Sequence, residues 1–181
     1  DKNIAEAIDR FIYAGMSCMI NISNLRNVSR AEASKDPVYV LENQGVFSEI
    51  IERCPDISCI CTSGQLKTAS LLVIDMLLEN GNNIYYCGDL DPEGIDIAIR
   101  LRKRNPDKIK LWHMDPRDYE KSRSERELSG SRLKKLSKYL EGEYKDICST
   151  VIEGKYAGQQ EYLIEELVEE INYSNYSCSN P

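Results

Sequence analysis

A rhythm constrains this chain more than any other feature. Four short apolar runs, PVYVLE (37–42), ISCICT (57–62), NIYYCGD (83–89) and KIKLWHMD (108–115), alternate with three stretches of helical spacing. Those stretches are GVFSEIIERC (45–54), QLKTASLLVIDMLLEN (65–80), which stops at Gly81, and PEGIDIAIRLRKR (92–104), which is closed by Asn105-Pro106. Runs this short and apolar on both faces suit buried parallel strands, and a helix between each pair supplies the crossover such a sheet needs. The expectation is an α/β fold with a mainly parallel four-stranded sheet, order 2-1-3-4, and helices on both faces.

The flanks read differently. Residues 3–16 carry Ile4, Ala7, Ile8, Phe11 and Ile12 on one side of an amphipathic helix, MINISNL (19–25) alternates like a short strand, and RAEASKD (30–36) is polar and linker-like. Residues 1–36 are therefore expected to be a helical and linker appendage, the remnant of an upstream region. Residues 37–171 form the α/β domain, and after Asp115 the pattern becomes polar and helical. QQEYLIEELVEEI (159–171) is the last amphipathic helix, with 172–181 as a flexible tail.

Composition excludes several classes. The 41% hydrophobic and 29% charged shares are those of an ordinary globular protein. No apolar run nears the ~20 residues of a membrane span, and no signal-peptide pattern opens the chain, so a cytoplasmic location without a membrane partner is expected. Seven scattered cysteines form no C-x-x-C pair and read as buried thiols, and a single histidine, His113, argues against a conventional zinc site. The net charge of -7 argues against a simply basic nucleic-acid binder. The charge is uneven, however. Residues 98–138 hold fourteen Lys and Arg against six acids, an excess of eight positive charges. That segment reads either as an electrostatic footprint for a polyanion or as solvated helix faces.

In an open α/β sheet, ligands gather at the carboxyl ends of the strands where the strand order reverses. Glu42 ends the first run, Asp89 and Asp91 end the third, and Asp115 ends the fourth. With strands one and three adjacent, Glu42 and the Asp89/Asp91 pair face each other across about 5 Å. Carboxylates that close do not all ionise readily without a cation, and an all-oxygen set selects Mg²⁺ or Mn²⁺. Asp89 and Asp91, two apart, point the same way while Leu90 turns inward. Each acid also has a plain structural reading: Asp91 before Pro92 is a normal helix N-cap, Asp115 before Pro116 a turn starter, and Glu42 a loop residue. A weaker feature is CTSGQLK, where the turn Ser63-Gly64 leads into a helix with Lys67 nearby, an arrangement open to a phosphate.

Glu42 together with GDLDPEG resembles the Toprim domain, which has a Glu after its first strand and a D-x-D after its third. The D-x-D-P-x-G form is similar to that of the topoisomerase VI A subunit and its meiotic double-strand-break relatives. VYVLENQGVF, CTSGQ, YYCGDLDPEGIDIAIRL and YAGQQEYLIEEL are similar to the C-terminal Toprim-like domain of bacterial proteins of unknown function related to the nuclease subunit of Wadjet plasmid-defence systems. The resemblance implies Glu42 as metal-linked general acid/base and Asp89 and Asp91 as Mg²⁺ ligands, with Glu161 as a possible extra acid. It implies a Mg²⁺-dependent DNA-cleaving or DNA-transacting domain, nuclease or topoisomerase-like, that works with DNA and with other domains or subunits of a DNA-processing or defence complex. None of the eleven tyrosines is assigned as a DNA nucleophile. The alternative is a non-catalytic α/β module that binds a partner or a nucleotide and keeps only the fold.

Overall fold

Strand alternation decides which residues face which layer. The computed structural model describes residues 2–179, with side chains through 174. Helix α1 (Lys2–Tyr13) leads to β1 (Val38–Leu41), α2 (Gln44–Arg53), β2 (Ser58–Cys61), α3 (Thr68–Glu79), β3 (Ile84–Cys87), α4 (Pro92–Arg102) and β4 (Ile109–Leu111). The four strands are all parallel, in the order β2-β1-β3-β4. Val38, Val40, Ile84 and Tyr86 enter one core with Ile74 and Leu77 of α3 and Ile95 and Ile99 of α4. Their neighbours Tyr39, Leu41 and Cys87 enter the opposite core with Val46 and Ile50 of α2. A period of two thus sends successive residues of one strand to two different helix layers. The expected sheet, its order and its crossovers are all present.

The second half adds what the alternating pattern does not announce. After α5 (Pro116–Ser122), β5 (Arg123–Glu127) pairs antiparallel with β6 (Tyr156–Gly158), and α6 (Gly130–Leu133), a 3₁₀ segment (Lys134–Tyr139) and α7 (Lys145–Gly154) lie between them. RSERE has no apolar face, so its strand state comes from its partner's hydrogen bonds rather than from patterning. Gly158 also exchanges backbone hydrogen bonds with Leu90, at 2.9 and 3.1 Å. A Cβ on Gly158 would stand 2.5 Å from the Ser122 hydroxyl and 2.8 Å from Leu90 Cβ, so glycine is what lets β6 approach.

The flanks depart from expectation. Helix α1 forms but buries none of its residues. Residues 19–25 are not a strand, because the Asn21 side chain accepts the Ser23 and Asn24 N–H groups at 2.9 and 3.3 Å and closes a turn. At the other end a 3₁₀ turn (Gln160–Leu163) feeds α8 (Ile164–Ser179), so the helix expected to stop at Ile171 runs on through most of the expected tail. Residues 180–181 lie outside the described ones. Leu163, Leu167, Val168 and Ile171 seat α8 beside α2. No helix among the described residues is long and apolar enough to cross a membrane.

Candidate functional site

β1 and β3 are neighbours with Leu41 opposite Cys87, so the residues just beyond them meet at the carboxyl edge of the sheet. The Glu42 N–H continues the ladder to the Cys87 carbonyl at 3.2 Å. Its carboxylate Oε2 accepts the Asp89 N–H at 3.3 Å and the Tyr86 hydroxyl at 3.5 Å. Gly88 makes room for this: a Cβ there would sit 2.6 Å from Glu42 Oε2 and 2.9 Å from the Tyr86 hydroxyl. Burial, then the charge of Asp89, then that of Asp91 push the Glu42 carboxyl up to about 7, against the partial relief of its hydrogen bonds.

Asp89 is partly buried and accepts the Gln160 N–H on Oδ1 at 3.0 Å. Burial raises its pKa, and Asp91 and Glu161 raise it further, while Arg126 pulls it down. Leu90, between the two aspartates, is 1% exposed and held to Gly158, which fixes the turn. Asp91 is 6% exposed. Its Oδ1 caps α4 by accepting the Glu93 and Gly94 N–H groups at 3.0 and 2.9 Å. Its Oδ2 accepts from Arg132 Nη2 at 2.5 Å. The same guanidinium reaches Glu93, whose carboxyl it draws down to about 2 with help from Lys135. The cap reading of Asp91 holds, and its second oxygen, the one left for a metal, is held by Arg132.

The expected anion turn is partly spent. Ser63 and Gly64 have φ of 54 and 89°, a left-handed turn. The Gly64 N–H donates to the Glu42 carbonyl at 3.1 Å, and the Ser63 hydroxyl accepts from Gln44 at 2.9 Å. Lys67 is the N-cap of α3 and makes no side-chain cap, which leaves that helix end without a side-chain acceptor.

The basic segment is also less free than its sum. Arg100, Arg102, Arg104, Lys121, Arg132, Lys135 and Lys138 pair with Asp96, Glu143, Asp75, Glu166, Asp91 and Glu93, all outside residues 98–138. The fold brings in acids that a sequence window does not count. Arg117, Arg126 and Lys134 are exposed and make no ion pair among the described residues. A groove of about 390 Å³ is lined by Gln65, Pro92, Glu93, Asp96, Arg100 and Lys134 with Lys135 and Lys138, and Glu42, Asp89 and Asp91 are not among its lining residues.

Two neighbours of these carboxylates escaped sequence reading. Gln160 is fully buried: its Nε2 donates to the Cys87 carbonyl at 2.9 Å and its Oε1 accepts the Asn43 N–H at 3.1 Å, so it ties the ends of β1 and β3 to the C-terminal region. Arg132 is the other. Neither has a local sequence signal, because each acts on residues 39 or more positions away. Glu161 does lie at the site, accepting from Asn43 Nδ2 at 2.6 Å. His113 and Asp115 do not belong to it. His113 follows β4, bonded to Asp118 and Glu170 at 3.1 and 2.9 Å, and Asp115 caps α5 within a capping box.

For a divalent cation the donor set fits in part. Glu42 and Asp89 are oxygen donors held beside each other with raised pKa values, the state that a cation relieves. Asp91 is committed to a helix and a guanidinium, and among the described residues no group of three or more His, Cys, Asp or Glu forms a ready metal cage.

The fold and site define an α/β protein with a parallel sheet and an acidic cluster at its strand-order switch. The chain belongs to a family described as the C-terminus of a protein of unknown function (DUF2399), whose model matches residues 18–171. A search of curated proteins finds no match.

Proposed function

We propose that this is a Toprim-like domain whose carboxylates bind Mg²⁺ or Mn²⁺ and serve phosphodiester chemistry on DNA. The observation that carries this reading is the Glu42 carboxyl, pushed up to about 7 by burial and by Asp89 at a strand-order switch. A structural glutamate has no reason to be kept beside another acid at that cost, whereas a cation-binding or proton-transferring one does. Glu42 and Asp89 would hold the ion, with Asp91 joining once its second oxygen is free. A bound ion would supply charge stabilisation at a scissile phosphate. Glu42 would also accept a proton from an attacking water or hydroxyl. Exposed Arg117, Arg126 and Lys134, with the α3 N-terminus near Ser63, Gly64 and Lys67, would meet backbone phosphates without reading bases.

The test is nicking of supercoiled plasmid with Mn²⁺ by the full-length gene product, with Glu42→Gln as the comparison. Activity lost in that variant is the expected result. Equal activity in wild type and variant removes Glu42 from the mechanism. A second reading has its own observation: Arg132 already neutralises Asp91. On that reading the chain is a non-catalytic partner- or nucleotide-binding module that keeps the fold, and calorimetry with Mn²⁺ gives no heat in wild type or in Asp89→Asn.

A further inference from the structure

Arg132 stands where a cation at Asp91 would act. It comes from α6, four residues on a surface segment, and reaches across to the N-terminus of α4. Asp91 Oδ1 is fixed by two backbone N–H groups, so Oδ2 is the oxygen able to change partners, and Arg132 Nη2 is the group on it. The guanidinium does not depend on Asp91 alone. Its Nε donates to Glu93 Oε2 at 2.9 Å. Glu93 in turn keeps Lys135 on its other oxygen at 2.7 Å. Arg132 can therefore release Asp91 while anchored to Glu93, and Glu93 stays neutralised in either state. Asp91, 6% exposed, cannot stay ionised at low cost without a partner.

Resting on the metal reading above, we propose that Arg132 is an internal counter-cation that competes with a divalent ion for Asp91, so that ion binding exchanges the guanidinium for the metal. The acidic site then remains folded and neutralised without metal, and its affinity is set by how readily Arg132 lets go. Arg132 is a positioning residue on this account.

The experiment is titration calorimetry of Mn²⁺ into the whole chain at fixed ionic strength, with thermal unfolding read in parallel. Arg132→Gln is expected to bind Mn²⁺ on the order of tenfold more tightly, the scale of removing one close positive charge. Lys138→Gln removes an equal charge from the same segment, paired to Asp96 rather than Asp91, and is expected to stay within about twofold. Arg132→Gln should melt lower than wild type without metal and recover the loss in saturating Mn²⁺, because the ion then takes the vacated oxygen. Unchanged affinity in Arg132→Gln, or an equal gain in Lys138→Gln, overturns the exchange. Should Arg132→Gln fail to fold, Arg132→Lys keeps the charge but loses the fork, and a smaller gain in affinity is expected; affinity equal to or below wild type overturns the proposal. Absence of Mn²⁺ binding in wild type and every variant removes the metal centre itself, an outcome distinct from binding that ignores Arg132.

Discussion

Two clusters of charge sit at the carboxyl edge of one sheet and have been settled in opposite ways. Beyond β4, His113 lies between Asp118 and Glu170, and Trp112 Nε1 also donates to Glu170 at 2.9 Å. Burial opposes the charged imidazole, yet the two carboxylates outweigh it and raise its pKa. Burial likewise opposes ionised Asp118, and His113 and the Asp115 N–H still leave its pKa lowered. Both carboxylates there share one imidazole, and Glu170 also has the Trp112 N–H. Beyond β1 and β3, the Glu42 and Asp89 pKa values are both raised, and of the three acids Asp91 alone makes an ion pair among the described residues. Neighbouring strand ends of the same fold thus hold a satisfied ionic clasp and an unsatisfied acidic pair. The difference teaches where to look for chemistry: the first cluster's acids have a hydrogen-bonded imidazole between them, while Glu42 and Asp89 have no ion pair among the described residues, which is the kind of place where perturbed pKa values cluster with function.

Substitutions can break or sharpen that contrast. The largest effect is expected at Gly94, where an added Cβ would collide with the Asp89 carbonyl. Gly94→Ala should lose about 3 kcal/mol or more in denaturant unfolding by forcing α4 off the turn, collapsing the acidic side while leaving the His113 side intact. Glu42→Gln should act in the other direction. A carboxyl raised from 4.5 to about 7 on folding stabilises the protein most below pH 4.5 and loses that contribution as pH rises through 7. The neutral amide should therefore add roughly 2 kcal/mol at pH 8 in metal-free buffer and little at pH 4; a loss of stability at pH 8 would break the contrast.

His113→Asn keeps a residue that tolerates the left-handed backbone at φ 51° and removes the imidazolium. A histidine whose pKa rises on folding contributes stability that is full below its ordinary value near 6.5 and fades as pH climbs through the folded value. The variant should lose roughly 1 kcal/mol at pH 6 and less at pH 9. A pH-independent loss would instead assign the effect to packing. The smallest change is expected for Asp115→Ala, about 1 kcal/mol for a lost N-cap, with Mn²⁺ affinity unaltered. A shift in that affinity would join the two clusters into one site.

Particular residues show how far the sequence could be read. Glu42, Asp89 and Asp91 are legible because strand ends and the helix start at Pro92 are local patterns, and Leu41 opposite Cys87 follows from the strand order that the βα rhythm favours. Leu90 turning inward follows from period two. Arg132 on Asp91 and Gln160 under Asp89 are not legible, because each contact joins segments that no local spacing relates. β5 was missed for a related reason, since RSERE becomes a strand only through the backbone of β6. The excess charge of residues 98–138 is smaller in the fold than in the sequence window, because several of its cations pair with acids supplied from outside it.

The sequence by itself determined the βα rhythm, the parallel sheet and the acids at its edge, because hydrophobic period and helix punctuation are written residue by residue. Only the tertiary structure decided which of those acids would be neutralised. Ion pairing depends on distance in space, and folding alone brings Arg132 to Asp91 and His113 between Asp118 and Glu170, while it leaves Glu42 and Asp89 without an ion pair among the described residues.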